Sequence, residues 1–97
     1  MTTVDLTPEA ERQFEALPRG IRPRVTRLLD RLEQWPEVSG AKRLSGNLAG
    51  RWRMRTGDYR LQFHVEPGKP ALGVQPAEPE LVMVEKIGHR DGFYDDD

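Results

Sequence analysis

Residues 51–60 read Arg-Trp-Arg-Met-Arg-Thr-Gly-Asp-Tyr-Arg. A strand sends successive side chains to opposite faces. The spacing therefore predicts Arg51, Arg53 and Arg55 on one face, and Trp52 and Met54 on the other. Thr56-Gly57-Asp58 has the composition of a tight turn. The strand predicted after it, over about 58–65, sets Tyr59, Leu61, Phe63 and Val65 against Arg60, Gln62 and His64. A sheet that shows a row of guanidinium groups on one side is suited to meet negative charge.

Outward from this hairpin, residues 2–6 read as a short strand with Val4 and Leu6 on one face. Thr7-Pro8 is a helix start, a threonine cap followed by proline at the first helical position. The first predicted helix runs from Pro8 to Leu17 and is broken by Pro18-Arg19-Gly20. The second runs from Ile21 to Trp35, with Ile21, Val25, Leu28, Leu29, Leu32 and Trp35 as its apolar stripe, and Pro36 ends it. Arg22, Arg24, Arg27 and Arg31 lie off that stripe and read as a solvated face alternating with Asp30 and Glu33, with a part in docking RNA as the alternative. A glycine-bearing loop over 37–50 contains Lys42-Arg43. Prolines and glycines make 66–80 a loop, in which Ala71–Val74 adds a short extended piece. A last strand is predicted over 81–87. The order β-α-α-β-β-β, with no internal repeat, predicts one α+β domain over 1–97: a small antiparallel sheet with an N-terminal helical hairpin packed on one face.

Composition narrows the function classes. The chain has 97 residues, a net charge of −1 and no cysteine, which excludes disulfides and thiolate metal sites. Two histidines without His-x-x-x-His spacing give no expectation of zinc, and no metal or cofactor is expected. No window approaches the length of a membrane span, and the N-terminus lacks the features of a signal peptide, so a cytoplasmic protein is expected. The charge is unevenly placed. Residues 42–65 hold six basic residues and one acid, a local net of +5, and the remainder carries −6. An anion is the expected partner of the central segment, and nucleic acid is the commonest large one.

Lys42-Arg43-Leu44-Ser45-Gly46, Trp52-Arg53-Met54-Arg55, Gly57-Asp58-Tyr59-Arg60-Leu61 and Ile87-Gly88-His89-Arg90, with Tyr94 shortly after, occur in that order. In these motifs and in its element order the chain resembles the RelE/ParE superfamily of toxins from bacterial type II toxin–antitoxin systems, in its RelE-like branch. The resemblance covers nearly the whole chain. It implies an endoribonuclease, an mRNA interferase that cleaves translated mRNA on the ribosome, without metal, by attack of the ribose 2′-hydroxyl on the adjacent phosphate. It also implies a cognate antitoxin protein as partner. By position, Arg53 and Arg55 match the family's basic pair on the first central strand, Arg60 the arginine after its Gly-x-Tyr turn, and Arg90 and Tyr94 its C-terminal arginine and tyrosine. His89 stands where members carry histidine or lysine.

The residue types suit that chemistry. Charge builds on the phosphate oxygens during cleavage, and arginine forks stabilise it through bidentate hydrogen bonds. Arg60 and Arg90 are thus the expected holders of the scissile phosphate. Arg51, Arg53, Arg55, Lys42 and Arg43 form the expected RNA-binding surface. An arginine rarely deprotonates, so proton transfer falls to His89 and Tyr94. Other readings stay open. The arginine row is also explained as a solvated strand face that discourages edge pairing, and Tyr94 either packs on the sheet edge or faces the cleft. At the level of activity, the alternatives are a ParE-like toxin that inhibits DNA gyrase without nuclease chemistry, and an inactive antitoxin-binding relative.

Overall fold

The computed structural model describes residues 2–67 and 81–93. One sheet is built from β1 (Thr3–Leu6), β2 (Lys42–Arg43), β3 (Arg51–Thr56), β4 (Tyr59–Glu66) and β5 (Leu81–His89), in the spatial order β1-β5-β4-β3-β2. The helices are α1 (Pro8–Glu15) and α2 (Arg22–Leu32), and a 3-10 turn spans Gly46–Leu48. The α+β class predicted from sequence holds, and the sheet proves to be mixed. β1 pairs in parallel with β5, Thr3 opposite Leu81, while the other three pairings are antiparallel. β2, two residues long, was not foreseen within the glycine-bearing loop. Ala71–Val74 and Tyr94 lie outside the described residues.

Local chemistry explains the element ends. The Thr7 hydroxyl accepts the Ala10 N–H at 3.1 Å, Pro8 follows it, and Glu9 and Glu11 occupy the first turn of α1. Each of these features satisfies or complements the exposed N–H groups of a helix start. α2 has no side-chain cap. Its Arg22 instead fastens the end of α1, donating to the Leu17 carbonyl at 3.2 Å and the Glu15 carbonyl at 2.6 Å.

The helices cover the sheet face that carries Met54, Leu61 and Phe63. Ala10, Leu17, Val25, Leu28 and Leu32 from the helical segment meet Met54, Leu61, Phe63, Val82, Val84 and Ile87 from the sheet in one buried cluster. Trp35 closes this core at one end, edge-on to Trp52 at 4.9 Å and to Phe63 at 5.4 Å.

One irregularity sets the geometry of the opposite face. Gln62 pairs with Lys86 but Phe63 pairs with Val84, which leaves Glu85 as an extra residue in β5. Such a bulge breaks the two-residue alternation, and this is why Val84 and Ile87, three apart, are both buried. α1 is tied across the bulge: the Gln13 side-chain oxygen accepts the Ile87 N–H at 2.8 Å, and the Thr7 N–H donates to the Val84 carbonyl at 2.9 Å. No helix among the described residues is long and apolar enough to cross a membrane.

Candidate anion-binding face

The face turned away from the helices is basic, as the alternation in 51–60 predicts. Across β3 and β4, Arg51 lies opposite His64, Arg53 opposite Gln62, and Arg55 opposite Arg60. Lys42 on β2 stands beside Arg53. Lys42, Arg53, Arg55, Gly40 and Met54 line a cavity of about 210 Å³.

Tertiary pairing divides this face into two unlike halves. At the end away from the β3–β4 turn, the Arg51 Nε donates to Glu85 at 3.0 Å. His64 lies between two carboxylates, with Nε2 at 2.8 Å from Glu66 and Nδ1 at 3.2 Å from Glu85. Glu66 and Glu85 both fall outside residues 42–65, so the local charge of +5 overstates the charge available here. The expectation that Arg51 forms part of the RNA-binding surface is weakened accordingly, because its guanidinium already has a carboxylate partner.

The half at the turn has a different character. Arg55 and Arg60 are directly opposed like charges, an arrangement that costs stability in a sheet. The Arg60 Nη1 is buried and has no hydrogen-bond partner. An unsatisfied charged donor is expensive unless something else completes it. Arg90 is brought to the same end, since its N–H donates to the Asp58 carbonyl at 2.7 Å, just beyond the turn. Its side chain is exposed, and its Nε lies 3.8 Å from a carboxylate oxygen of Asp58 and 3.8 Å from one of Asp91. The structure thus gathers Arg55, Arg60 and Arg90 at one end of the sheet.

Two expected participants are placed elsewhere. His89 pairs with Tyr59, one position along from the Arg60–Gly88 pair. Alternation therefore puts it on the side of β5 away from Arg60. Its ring stands edge-on to Tyr59 at 5.1 Å, and its Nδ1 accepts the Asp91 N–H at 3.0 Å. Arg43 pairs with Trp52, and its guanidinium lies 5.4 Å from that ring. It thus sits on the side opposite Lys42, where cation–π contact supports the core edge.

Two residues not singled out in the sequence belong to the face. Lys86 pairs with Gln62. Its ammonium lies 4.7 Å from the Phe93 ring and hydrogen-bonds the Phe93 carbonyl. Phe93 is 3% exposed yet lies outside the main core. It packs where a Cβ on Gly88 would sit, 3.5 Å away, and Gly88 is the residue opposite Arg60. The readable signal was the Val84–Ile87 spacing: a bulge between them places Glu85 and Lys86 on the basic side. Among the described residues, no group of three or more His, Asp or Glu side chains is arranged to hold a metal ion.

The shape of the chain matches solved structures over most of its length. No protein-family model matches it, and no curated protein does. A chain of the RelBE toxin–antitoxin complex from Mycobacterium tuberculosis is 27% identical, with a TM-score of 0.69, over 92% of this chain and 98% of that one. The isolated RelE toxin of E. coli superposes with a TM-score of 0.64 at 16% identity, over 92% of this chain and 84% of that one. A chain of the RelB–RelE complex from Methanococcus jannaschii gives a TM-score of 0.64 at 15% identity, over 93% and 94%. The E. coli structure is of the toxin alone.

Proposed function

We propose, from the premise that this chain is RelE-like in fold and motifs, that it is the toxin component of a type II toxin–antitoxin pair and a metal-independent endoribonuclease acting on translated mRNA. The observation that carries the nuclease reading is the Arg55–Arg60 pair with its unpartnered Arg60 Nη1. A phosphate between the two guanidinium groups would relieve their repulsion and satisfy the orphan donor. During 2′-hydroxyl attack, negative charge grows on the non-bridging oxygens, and donors already oriented there stabilise the transition state more than the ground state. Arg60 and Arg55 take this role, with Arg90 at the same end of the sheet and Arg53 and Lys42 holding the flanking backbone.

Proton transfer is the part of the sequence reading that the geometry changes most. Histidine next to Arg90 suits an acid or base by residue type. His89, however, is turned towards Tyr59, and its Nδ1 is engaged by Asp91. In this reading Tyr94 is the proton handler, on the strength of the sequence motif, and His89 supports the strand end. The fold's likeness to chains of RelBE complexes supports an antitoxin partner. The basic face is the surface that such a partner would have to mask.

The test is primer extension on a translated message after induced expression, with and without ribosomes. Cleavage that disappears in the Arg60→Met, Arg90→Ala double variant is the expected result, and undiminished cleavage there would sink the site assignment. A second reading has one observation in its favour. With His89 on the opposite face of β5 and His64 engaged by Glu66 and Glu85, neither of the chain's two histidines faces the Arg55–Arg60 pair, as suits a gyrase-inhibiting, non-nuclease toxin. Stalled gyrase supercoiling with intact RNA would establish that reading instead.

A further inference from the structure

The arginines of α2 are not a detached solvated face. On a helix, positions 24 and 31 fall almost in line, with 27 beside them. Val25, Leu28 and Leu32 are buried against the sheet, so Arg24 and Arg31 flank the apolar stripe at its margin. The Arg24 Nη1 reaches the β3–β4 turn, 3.5 Å from where a Cβ on Gly57 would stand. The Arg31 Nη2 lies 3.7 Å from the same point on Gly40 and donates to the Ser39 carbonyl at 2.5 Å.

Gly40 is a wall of the cavity lined by Lys42, Arg53 and Arg55. β2 covers β3 only at Trp52 and Arg53, which leaves the stretch from Met54 to the turn as an open edge. Arg24 and Arg31 bracket that edge from the helix side, and Lys42 and Arg55 stand on the sheet side. Among the described residues Arg24, Arg27, Lys42 and Arg55 form no ion pair with a carboxylate, whereas Arg51 pairs with Glu85 and Arg90 approaches Asp58. The acid on the same helix, Asp30, is exposed, and no ion pair joins it to another of the described residues. Cations on both sides of one open strand edge suit the backbone of a single-stranded nucleic acid, which contacts of this kind bind without reading sequence.

We propose that Arg24 and Arg27 of α2, with Lys42 and Arg55 across the open edge of β3, form a second anion-binding surface that holds the backbone of a single-stranded nucleic acid and leads it to the Arg55–Arg60 pair. This rests on the nucleic-acid reading of the face but not on cleavage. Its helix residues, Arg24 and Arg27, contribute affinity without sequence preference and leave the bond-breaking step unchanged.

The probe is a single-stranded 2′-O-methyl RNA of about 12 nucleotides, within the span such surfaces cover and unable to undergo 2′-hydroxyl attack. Its affinity is measured against salt by fluorescence anisotropy. Arg24→Glu with Arg27→Glu should weaken binding at least tenfold and lower the salt slope by about 1.4, the value for two single-strand phosphate contacts. Arg24→Lys with Arg27→Lys should keep affinity within about threefold, because charge rather than fork geometry is what a backbone contact needs. If the reversed variant loses its native circular dichroism, Arg24→Gln with Arg27→Gln replaces it, with a loss of about fivefold expected. Unchanged affinity in a folded charge-altered variant overturns the proposal, as does tighter binding of polyglutamate than of the oligonucleotide. Native protein that binds the probe but cleaves no RNA would refute the nuclease reading alone.

Discussion

Arg55 and Arg60 face each other directly across the β3–β4 hairpin, and the Arg60 Nη1 is buried without a partner. Two guanidinium groups in register repel, and the unpaired donor adds a desolvation cost. A sheet optimised only for stability would not place them so. Replacing Arg60 by methionine, which keeps the aliphatic stem and removes the charge, should stabilise the fold by about 1 kcal/mol. For a domain of this size that is roughly 4–8 °C in Tm. The same variant should lose growth arrest on expression. Thermal unfolding and a growth assay check the two halves separately, and a destabilised Arg60→Met protein would show that the pair is structural.

Glu85 joins Arg51 and His64 at the other end of the same face. The Arg51 and His64 side chains retain 39% and 30% exposure, so solvent screens these contacts. Glu85→Gln should therefore cost no more than about 1 kcal/mol in urea unfolding. It should also bind single-stranded RNA more tightly at low salt, because it releases Arg51. Weaker binding would mean that Glu85 orients a cation and does not merely neutralise it.

His89 stands edge-on to Tyr59 and away from Arg60. His89→Gln should keep RNA cleavage within about tenfold of the native rate, whereas losing a general acid or base typically costs on the order of 10²–10⁴. Tyr94→Phe should fall in the larger range. Single-turnover cleavage of a ribosome-bound message compares the two. The reverse ranking would return proton transfer to His89.

Phe63 is fully buried, packs edge-on to Trp35 and pairs across β3 with Trp52. Phe63→Ala should cost about 3–5 kcal/mol, a large share of what a domain this small has. Loss of the cooperative unfolding transition is the expected readout. A shift of only a few degrees would mean that the helices collapse into the space.

Thr7 both caps α1 and bonds β5 through its backbone N–H. Thr7→Ala removes the cap together with the hydroxyl's long 3.5 Å bond to the Glu85 carbonyl, and should cost about 1 kcal/mol. Urea unfolding with an unchanged slope is the check.

Much of this molecule is legible in the chain itself. Alternation in 51–65 is a local property of strands, so the basic and apolar faces of the hairpin follow directly from residue order. Thr7-Pro8, the α2 stripe and the Gly57 turn are equally local. They place two helices over the Leu61–Phe63 face without knowledge of anything distant. The resemblance carried by those motifs agrees with the RelE-like shape of the chain. Long-range contacts decided the rest. The parallel β1–β5 pairing joins opposite ends of the sequence. The Glu85 bulge shifts the register of β5, so that Lys86 joins the arginine face while His89 leaves it. Glu85 and Glu66 neutralise one end of a segment that is almost uniformly basic along the chain, because charge acts through space and not along the sequence. For the same reason the α2 arginines, far from 51–60 in sequence, lie against its open edge. Sequence determined which residues share a face, and only tertiary structure decided which of those charges were left without partners.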